Sequence, residues 1–237
     1  AMSNPYFRFK QFAVRQENAA MKVGTDGVLL GAWAHVEASS RILDVGTGTG
    51  LIALMLAQRS KAAIDAVEID EPSYRQALIN VENSPWKTRI ALFNESFQDF
   101  AQRATRQYDL IVSNPPYFIK SLKSPEMKRT AARHTDWLPQ DELLKGIEKL
   151  LTPDGLFAGI FPYIEGNVFT AKASNYGLFC NKRVVVTGKE KQPPKRLLLE
   201  FSNEKKSFSE SELTIRNLDD SFTDEYKHLT KDFYLAF

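Results

Sequence analysis

The stretch Leu43-Asp44-Val45-Gly46-Thr47-Gly48-Thr49-Gly50 joins a short apolar run that begins at Ile42 to an apolar segment with helical spacing, Leu51 to Gln58. A strand, a glycine-rich turn and a helix in this order are typical of the first βα unit of an open parallel sheet. Glycines let the backbone turn tightly and approach a ligand without a Cβ in the way. The stretch therefore predicts an α/β fold with a ligand site at the carboxyl end of this strand.

The spacing of the glycines favours one class of ligand over another. Gly46, Gly48 and Gly50 follow the pattern G-x-G-x-G, whereas dinucleotide-binding folds use G-x-G-x-x-G. Asp44, just before the first of these glycines, would repel a pyrophosphate and attract an ammonium group. Together these features favour a cationic ligand such as S-adenosylmethionine, and they disfavour an NAD-dependent oxidoreductase.

Further apolar runs alternate with helical periods along the chain. The predicted strands after the glycine stretch span 64–69, 89–93, 109–112 and 156–161, and the predicted helices span 71–83 and 140–151. Such alternation predicts a mostly parallel sheet with both faces covered. Two later strands, at 183–187 and 197–201, have no helix between them, so we expect an antiparallel hairpin at one edge of the sheet.

The first forty residues do not follow this alternation. Apolar and aromatic residues suggest a short pair of strands there: Phe7, Phe9, Phe12 and Val14. A helix predicted at 27–36 could pack over the carboxyl edge of the sheet. We therefore expect an N-terminal extension, residues 1–40, on the cofactor side of a main domain, residues 41–237, the two forming effectively one domain.

The composition is that of an ordinary globular protein. Hydrophobic residues make up 43% and charged residues 25% of the 237 residues, and the net charge of +2 is too small to predict nucleic-acid binding by itself. One cysteine and three dispersed histidines argue against a disulfide and a metal site. The longest apolar run, Leu51 to Ala57, is far shorter than the about 20 residues that span a bilayer.

These observations lead to expectations about the environment of the protein. The first residues are polar and aromatic, unlike a signal peptide, so we expect a cytoplasmic protein with neither a metal nor a membrane partner. The sequence does not show the oligomeric state, and a monomer is the expectation.

Two acidic residues lie at the end of the second predicted strand of the main sheet. Glu68 lies 18 residues after Gly50, and Asp70 lies two residues further on. Either carboxylate could accept hydrogen bonds from two ribose hydroxyls. The alternative for each is a solvated carboxylate at a strand end or a helix cap, and the residues alone leave the choice open.

A proline-rich segment, Ser113-Asn114-Pro115-Pro116-Tyr117, follows the fourth strand of the main sheet. Its two prolines stop the strand and stiffen the loop. The side-chain oxygen of Asn114 and the backbone oxygen of Pro115 could each accept a hydrogen bond from one N–H of an NH₂ group. Tyr117 offers an aromatic face to a planar base or amide. We therefore predict a catalytic centre formed by Asn114, Pro115, Pro116 and Tyr117, and a rigid turn with a packed tyrosine is the alternative.

The glycine stretch and the Asn-Pro-Pro-Tyr segment together resemble those of class I S-adenosylmethionine-dependent amino-methyltransferases. The segment from Met21 to Trp33 narrows the resemblance to the bacterial tRNA1(Val) adenine-N6 methyltransferase family, as do Phe9 to Phe12, Asn83 to Trp86 and Phe233 to Leu235. The resemblance implies a Rossmann-like fold with a seven-stranded sheet of order 3-2-1-4-5-7-6. It also implies methylation of N6 of the adenosine next to the anticodon of a valine tRNA.

The same resemblance implies roles for residues around the cofactor S-adenosylmethionine. The three glycines would contact its methionine part, Asp44 would lie near its amino group, and Glu68 would hold its ribose. Ser96 stands where related enzymes often have an aspartate that bonds the adenine amine, and Phe97 could pack against the adenine. Three residues of the N-terminal segment would line the methionine end: Lys22, Thr25 and Asp26.

Basic residues cluster after the Asn-Pro-Pro-Tyr segment. Between residues 118 and 137, five cations stand against two acids, a local excess of +3: Lys120, Lys123, Lys128, Arg129 and Arg133. A second cluster, around the predicted hairpin, includes Lys195 and Arg196. Basic residues that flank a base pocket suit phosphate contacts, so we expect both clusters to bind tRNA. A solvated charged loop is the alternative for each.

Two other functions stay open on these residues. A glutamine amide suits the same pair of acceptors, so the chain could be a protein glutamine-amide N-methyltransferase. It could also be a non-catalytic RNA- or nucleotide-binding module. The N-terminal segment argues against the first function, and the intact Asn-Pro-Pro-Tyr segment argues against the second.

Overall fold

A computed structural model describes residues 5–17, 19, 21–116 and 138–237. Two short antiparallel strands, β1 (Tyr6–Arg8) and β2 (Ala13–Arg15), lie outside the main sheet and confirm the predicted N-terminal pair. The strands of the main sheet are β3 (Arg41–Val45), β4 (Ala63–Val67), β5 (Ile90–Phe93), β6 (Tyr108–Ser113), β7 (Leu151–Pro162), β8 (Phe179–Lys189), β9 (Arg196–Ser202) and β10 (Ser209–Arg216).

These eight strands lie side by side in the order β10-β8-β9-β7-β6-β3-β4-β5. β9 runs antiparallel to both of its neighbours, β7 and β8, and every other pairing in the sheet is parallel. The prediction of a mostly parallel sheet with an antiparallel hairpin is therefore confirmed. Because β9 runs antiparallel to β7 and β8, its first residue lies near the carboxyl ends of those two strands.

The resemblance implied seven strands in the main sheet, and this number is wrong, because the described part of the chain forms eight. β10 pairs in parallel with β8, from Ser209 opposite Lys182 to Arg216 opposite Lys189. Its sequence begins with four polar residues, and Leu213 is its one buried side chain. A strand at the edge of a sheet needs little apolar surface, so this segment lacks the alternation that predicts a strand.

Seven helices are described: α1 (Thr25–Trp33), α2 (Leu51–Arg59), α3 (Glu71–Glu82), α4 (Phe97–Arg103), α5 (Gln140–Leu150), α6 (Tyr163–Ala173) and α7 (Asp224–Thr230). α2, α3 and α5 confirm the helices predicted at these places, and α1 begins and ends earlier than the predicted 27–36. Three helices were not predicted from the sequence: α4, α6 and α7. α4 and α7 are only seven residues long, and α6 has apolar residues on its exposed side as well as its buried side, such as Ile164 and Phe169.

The two faces of the sheet carry separate apolar cores. Ile42, Leu110 and Ala158 belong to one core, whereas their chain neighbours Leu43 and Ile111 belong to the other. Neighbouring residues of a strand point to opposite faces, so the continuous apolar runs of β3 and β6 fill both cores. The prediction that both faces are covered is confirmed.

The N-terminal strands and α1 pack into the first of these cores. Phe9, Val14 and Leu30 are buried there together with Ile42 and Leu54 of the main sheet and α2. The division into an extension, residues 1–40, and a main domain, residues 41–237, stays a prediction. In the described part of the chain, no helix has the length and apolar character that crossing a bilayer requires.

Candidate active site

The predicted cofactor loop and the predicted catalytic segment start at neighbouring strand ends. Val45, the last residue of β3, is the register partner of Ser113, the last residue of β6. The Ser113 hydroxyl donates a hydrogen bond of 2.9 Å to the Val45 carbonyl oxygen. The glycine loop after β3 and Asn114 after β6 are therefore held side by side at the carboxyl edge of the sheet, where parallel α/β sheets bind ligands.

The backbone of the glycine loop adopts positive φ angles that favour glycine. Gly46, Gly48 and Gly50 have φ angles of 74°, 58° and 84°, which L side chains rarely adopt. A Cβ placed on Gly46 or on Gly48 would have no atom of the described structure within 4 Å, whereas one on Gly50 would lie 3.5 Å from Ala77. The loop therefore leaves open space beside its first two glycines and packs closely at its third.

Asp44 is a fully buried carboxylic acid at the base of this loop. Its Oδ2 accepts a hydrogen bond of 2.6 Å from the Thr47 hydroxyl, and its Oδ1 is buried without a hydrogen-bond partner among the described residues. Burial raises the pKa of Asp44 from 3.8 to about 7; the Thr47 hydroxyl and the Ala53 backbone N–H oppose the rise, and the nearby charge of Glu68 adds to it. A buried oxygen in this state would be stabilised by a hydrogen-bond donor that carries a positive charge.

Glu68 faces the glycine loop, whereas Asp70 caps a helix. The Glu68 carboxylate accepts hydrogen bonds from the backbone N–H groups of Gly48 (2.8 Å) and Asp70 (2.9 Å), and burial raises its pKa. The Asp70 carboxylate accepts bonds from the backbone N–H (3.0 Å) and the hydroxyl (2.7 Å) of Ser73 at the start of α3. The helix-cap alternative therefore applies to Asp70, and the ribose role of Glu68 stays a prediction.

The two residues predicted at the adenine end have structural contacts of their own. Ser96 caps α4, since its hydroxyl oxygen accepts a hydrogen bond of 3.0 Å from the Asp99 backbone N–H. Phe97 is buried, and its ring packs so closely on Gly146 of α5 that a Cβ there would clash with it. Their proposed contacts with the adenine stay predictions.

Ile69, which was not predicted from the sequence as a site residue, lies between Glu68 and Asp70 and is 38% exposed. Its backbone is fixed by Asn94, whose side-chain amide donates to the carbonyl oxygens of Glu68 (2.8 Å) and Ile69 (3.2 Å). An exposed apolar side chain beside a predicted ribose ligand is suited to cover a flat base. The one feature of the sequence that could have indicated this role is an isoleucine between two acidic residues at a strand end.

The catalytic segment presents a second buried acceptor. The Oδ1 atom of Asn114 is buried, and nothing in the described part of the chain donates a hydrogen bond to it. Pro115 is buried and Pro116 is partly buried. Tyr117 lies outside the described residues, so its predicted aromatic contact stays a prediction.

The N-terminal segment reaches the glycine loop through α1. A Cβ on Gly27 would lie 3.0 Å from the Leu51 side chain, and one on Gly31 would lie 2.5 Å from Met55. This close packing sets the first turn of α1 beside the start of α2, which follows the loop directly. Asp26 lies in that first turn.

Comparisons with known proteins agree with this geometry. A family model described as methyltransferase small domain matches residues 21–134, which include α1, the glycine loop and Asn114. The chain is 48% identical over 235 residues to a protein of Bacteroides fragilis strain YCH46, covering 99% of both chains. It is 49% identical over 239 residues to one of Trichodesmium erythraeum, covering 100% of both. Both are named tRNA1(Val) (adenine(37)-N6)-methyltransferase.

The chain belongs to the tRNA1(Val) (adenine(37)-N6)-methyltransferase family. A relative of the same name from Photorhabdus laumondii is 46% identical over 233 residues, 98% of this chain and 96% of its own. The resemblance found in the sequence is thereby confirmed, and the relatives match almost the whole chain, as the quoted segments from Phe9 to Leu235 predict.

Solved structures show the fold of this family member independently. A predicted O-methyltransferase from Agrobacterium tumefaciens matches with a TM-score of 0.65 at 16% identity, covering 88% of this chain and 96% of its own. A ribosomal protein L11 methylase from Lactobacillus delbrueckii matches with a TM-score of 0.57 at 17% identity, covering 81% and 84%. At such identities these matches show the fold alone, and they confirm the class I methyltransferase architecture.

The predicted RNA-binding residues fall into two groups in this family member. Five of them lie outside the described residues: Lys120, Lys123, Lys128, Arg129 and Arg133. The other two lie at the start of β9, where Lys195 is exposed and Arg196 forms an ion pair with Asp26. Among the described residues, no group of three or more His, Cys, Asp and Glu side chains has an arrangement that could hold a metal ion.

Proposed function

We propose that this protein transfers the methyl group of S-adenosylmethionine to N6 of adenosine 37 in tRNA1(Val). The observation that carries the proposal is the pair of buried acceptors, Asp44 Oδ1 and Asn114 Oδ1, at neighbouring strand ends. One acceptor suits a cationic amine, and the other suits a neutral NH₂ group. The names of full-length relatives support the choice of substrate.

The residues around the glycine loop fit S-adenosylmethionine. Asp44 would accept a hydrogen bond from the ammonium group, and the open space beside Gly46 and Gly48 would take the methionine part. Glu68 would accept bonds from the ribose hydroxyls, since each carboxylate oxygen has a lone pair beyond its present backbone donor. Ile69 would cover the adenine, with Ser96 and Phe97 further along that end. Lys22, Thr25 and Asp26 would close the methionine end.

When bound, S-adenosylmethionine supplies a methyl group on a positively charged sulfur, and transfer to N6 leaves S-adenosylhomocysteine. Asn114 Oδ1 and the Pro115 carbonyl oxygen would each accept a hydrogen bond from one N–H of the N6 amino group, which draws the nitrogen lone pair out of conjugation with the ring. These bonds strengthen as positive charge develops on the nitrogen, so the two acceptors lower the barrier. Because the proton becomes acidic only then, it can pass to water, and we expect no His or Asp general base.

A stacked base of the anticodon loop must turn outward to reach this centre. Tyr117 would offer its ring to the extruded adenine, with a stacking energy of about 1–3 kcal/mol. The cations between residues 118 and 137, together with Lys195, would hold the flanking phosphates. A tRNA substrate also implies that the protein works in the cytoplasm.

The test is methyl transfer from isotope-labelled S-adenosylmethionine to unmodified tRNA1(Val), followed by mass analysis of the nucleosides. The expected product is one N6-methyladenosine per tRNA, and a transcript with guanosine at position 37 should give none. A release-factor protein serves as the second acceptor. Labelled glutamine with unlabelled tRNA would overturn the proposal in favour of a protein amide methyltransferase.

A further inference from the structure

A partly buried ion pair joins the first turn of α1 to the start of β9. Arg196 Nε donates a hydrogen bond of 2.7 Å to Asp26 Oδ2, and the two side chains are 26% and 23% exposed. Asp26 belongs to the N-terminal segment and Arg196 begins β9, 170 residues further along the chain. The pair therefore connects a residue predicted at the cofactor to a residue predicted at the RNA.

The backbone at the arginine end of this pair is hydrogen-bonded to strands on both sides. Arg196 lies opposite Pro162 of β7 and opposite Val186 of β8, so it has a sheet neighbour on each side. The preceding residue, Lys195, is bonded through its backbone N–H to the Val186 carbonyl oxygen (2.9 Å) and through its carbonyl oxygen to the Tyr163 N–H (3.0 Å). Arg196 Nη1 also donates to that same Lys195 carbonyl oxygen at 3.1 Å, which orients the guanidinium.

The first turn of α1, which carries Asp26, has no side-chain cap. The N-cap residue of α1, Gly24, has no side chain to accept a bond from the first turn, and the Val28 N–H to Gly24 carbonyl bond is long, at 3.4 Å. Met21 and Lys22, which lead into the helix, are exposed. Packing of Gly27 against Leu51 fixes the position of the helix.

We propose that Arg196 is a positioning residue that holds Asp26, and with it the first turn of α1, beside the glycine loop. The inference rests on the proposed function, because it takes the N-terminal segment to line the methionine end of the cofactor. It assigns Arg196 a contact within the protein in place of the phosphate contact that its charge suggests. A planar guanidinium that bonds a carboxylate and a carbonyl at once fixes a direction, which a lysine ammonium does not.

The first experiment measures binding of S-adenosylhomocysteine by calorimetry, with the full chain and no tRNA. Arg196→Ala and Asp26→Asn are each expected to weaken binding about tenfold, the loss of one charge-assisted hydrogen bond. Arg196→Lys should recover only part of the affinity. Lys189→Ala is the matched control, since it removes a cation of the same hairpin that pairs with Asp220 at 2.8 Å, and it should bind as the wild type does.

The double variant tests the coupling directly. If Arg196 acts through Asp26, Arg196→Ala should have little further effect in the Asp26→Asn background. Equal effects of Arg196→Ala in both backgrounds would overturn the proposal. Melting temperatures of all variants separate a loss of fold from a loss of ligand, and Arg196→Lys keeps the test valid if the alanine variant unfolds.

The second experiment separates this role from a phosphate contact. The slope of log affinity for tRNA against log salt falls by about 0.7–0.9 for each phosphate contact removed. Arg196→Ala should leave that slope unchanged, whereas Lys195→Ala should reduce it. A reduced slope for Arg196→Ala with unchanged S-adenosylhomocysteine affinity would overturn the proposal. A wild-type protein that binds S-adenosylhomocysteine but does not methylate tRNA would refute the proposed function instead, since the binding test needs no tRNA.

Discussion

The side-chain amide of Asn80 ties the glycine loop to the N-terminal strands through Thr49. Its Nδ2 donates to the Thr49 carbonyl oxygen at 2.8 Å and to the Arg15 carbonyl oxygen at 3.0 Å, and its Oδ1 accepts from the Arg15 N–H at 2.7 Å. Asn80 lies on α3 and is buried. One residue therefore braces the cofactor loop against β2.

Replacing Asn80 by Asp tests this brace. A carboxylate keeps the size of the amide but cannot donate to the two carbonyl oxygens, so it leaves both bonds unmade in a buried site. We expect a loss of about 2–4 kcal/mol in the free energy of unfolding, by denaturant titration, and weaker S-adenosylhomocysteine binding. Asn83→Asp, at the C-cap of the same helix, is the control and should change neither measurement by much. Unchanged stability of Asn80→Asp would contradict the brace.

The residues of this site that stand next to a predicted strand could be predicted from the sequence. The glycine turn, Asp44 and Asn114 each follow a recognisable strand, and strand ends of a parallel sheet meet at one edge. The choice between Glu68 and Asp70 required coordinates, since both carboxylates have the same local pattern and only Asp70 is used as a helix cap.

Contacts between distant segments could not be predicted in this way. Nothing near Asp26 in sequence indicates Arg196, because the ion pair depends on the direction of β9 in the finished sheet. The same reasoning explains β10, whose polar residues form a strand only because β8 offers an unpaired edge. Short-range periodicity carries no information about such pairings.

Asn114→Ala should separate catalysis from cofactor binding. Loss of the side-chain oxygen removes one of the two acceptors for the N6 amino group, so we expect methyl transfer to tRNA to fall by at least about 100-fold. Affinity for S-adenosylhomocysteine should stay within about twofold of wild type, since Asn114 is proposed to contact the acceptor base. Near-normal turnover in single-turnover assays would show that the catalytic segment is assigned wrongly.

The acidity of Asp44 predicts how cofactor binding depends on pH. Its pKa of about 7 means that part of the carboxyl is protonated in the ligand-free protein near neutral pH, whereas binding an ammonium group needs the charged form. Affinity for S-adenosylhomocysteine should therefore fall up to about tenfold for each pH unit below 7. Asp44→Asn should bind weakly and lose the part of the pH dependence that Asp44 supplies. Asp109→Asn, which alters a carboxylate near the start of β6, should keep the wild-type profile.

The raised pKa of Asp44 also predicts how the stability of the ligand-free protein depends on pH. Stability should fall as the pH rises, whereas the affinity for the ligand should increase. Asp44 has a higher pKa in the folded than in the unfolded chain, so the unfolded chain releases the proton first as the pH rises. Stability should therefore decrease between about pH 4 and pH 7 through this residue. Asp44→Asn should be more stable than wild type at pH 8 and little changed at pH 4, by thermal unfolding. A wild-type advantage at pH 8 without ligand would contradict the burial argument.

Gly48→Ala tests whether the open space beside the loop belongs to the cofactor. The φ of 58° makes a side chain strained there by about 1–2 kcal/mol. Gly177 is the matched control, since its φ is 66°, a Cβ on it would also meet no described atom within 4 Å, and it follows the short turn Ser174–Tyr176 away from the site.

Both alanine variants should therefore lose similar stability in thermal unfolding, because the backbone strain is the same in kind. Gly48→Ala alone should weaken S-adenosylhomocysteine binding, by about tenfold or more, because the added methyl group occupies space proposed for the methionine part. If the two variants bound S-adenosylhomocysteine equally well, the space beside Gly48 would be ordinary solvent rather than part of the cofactor site.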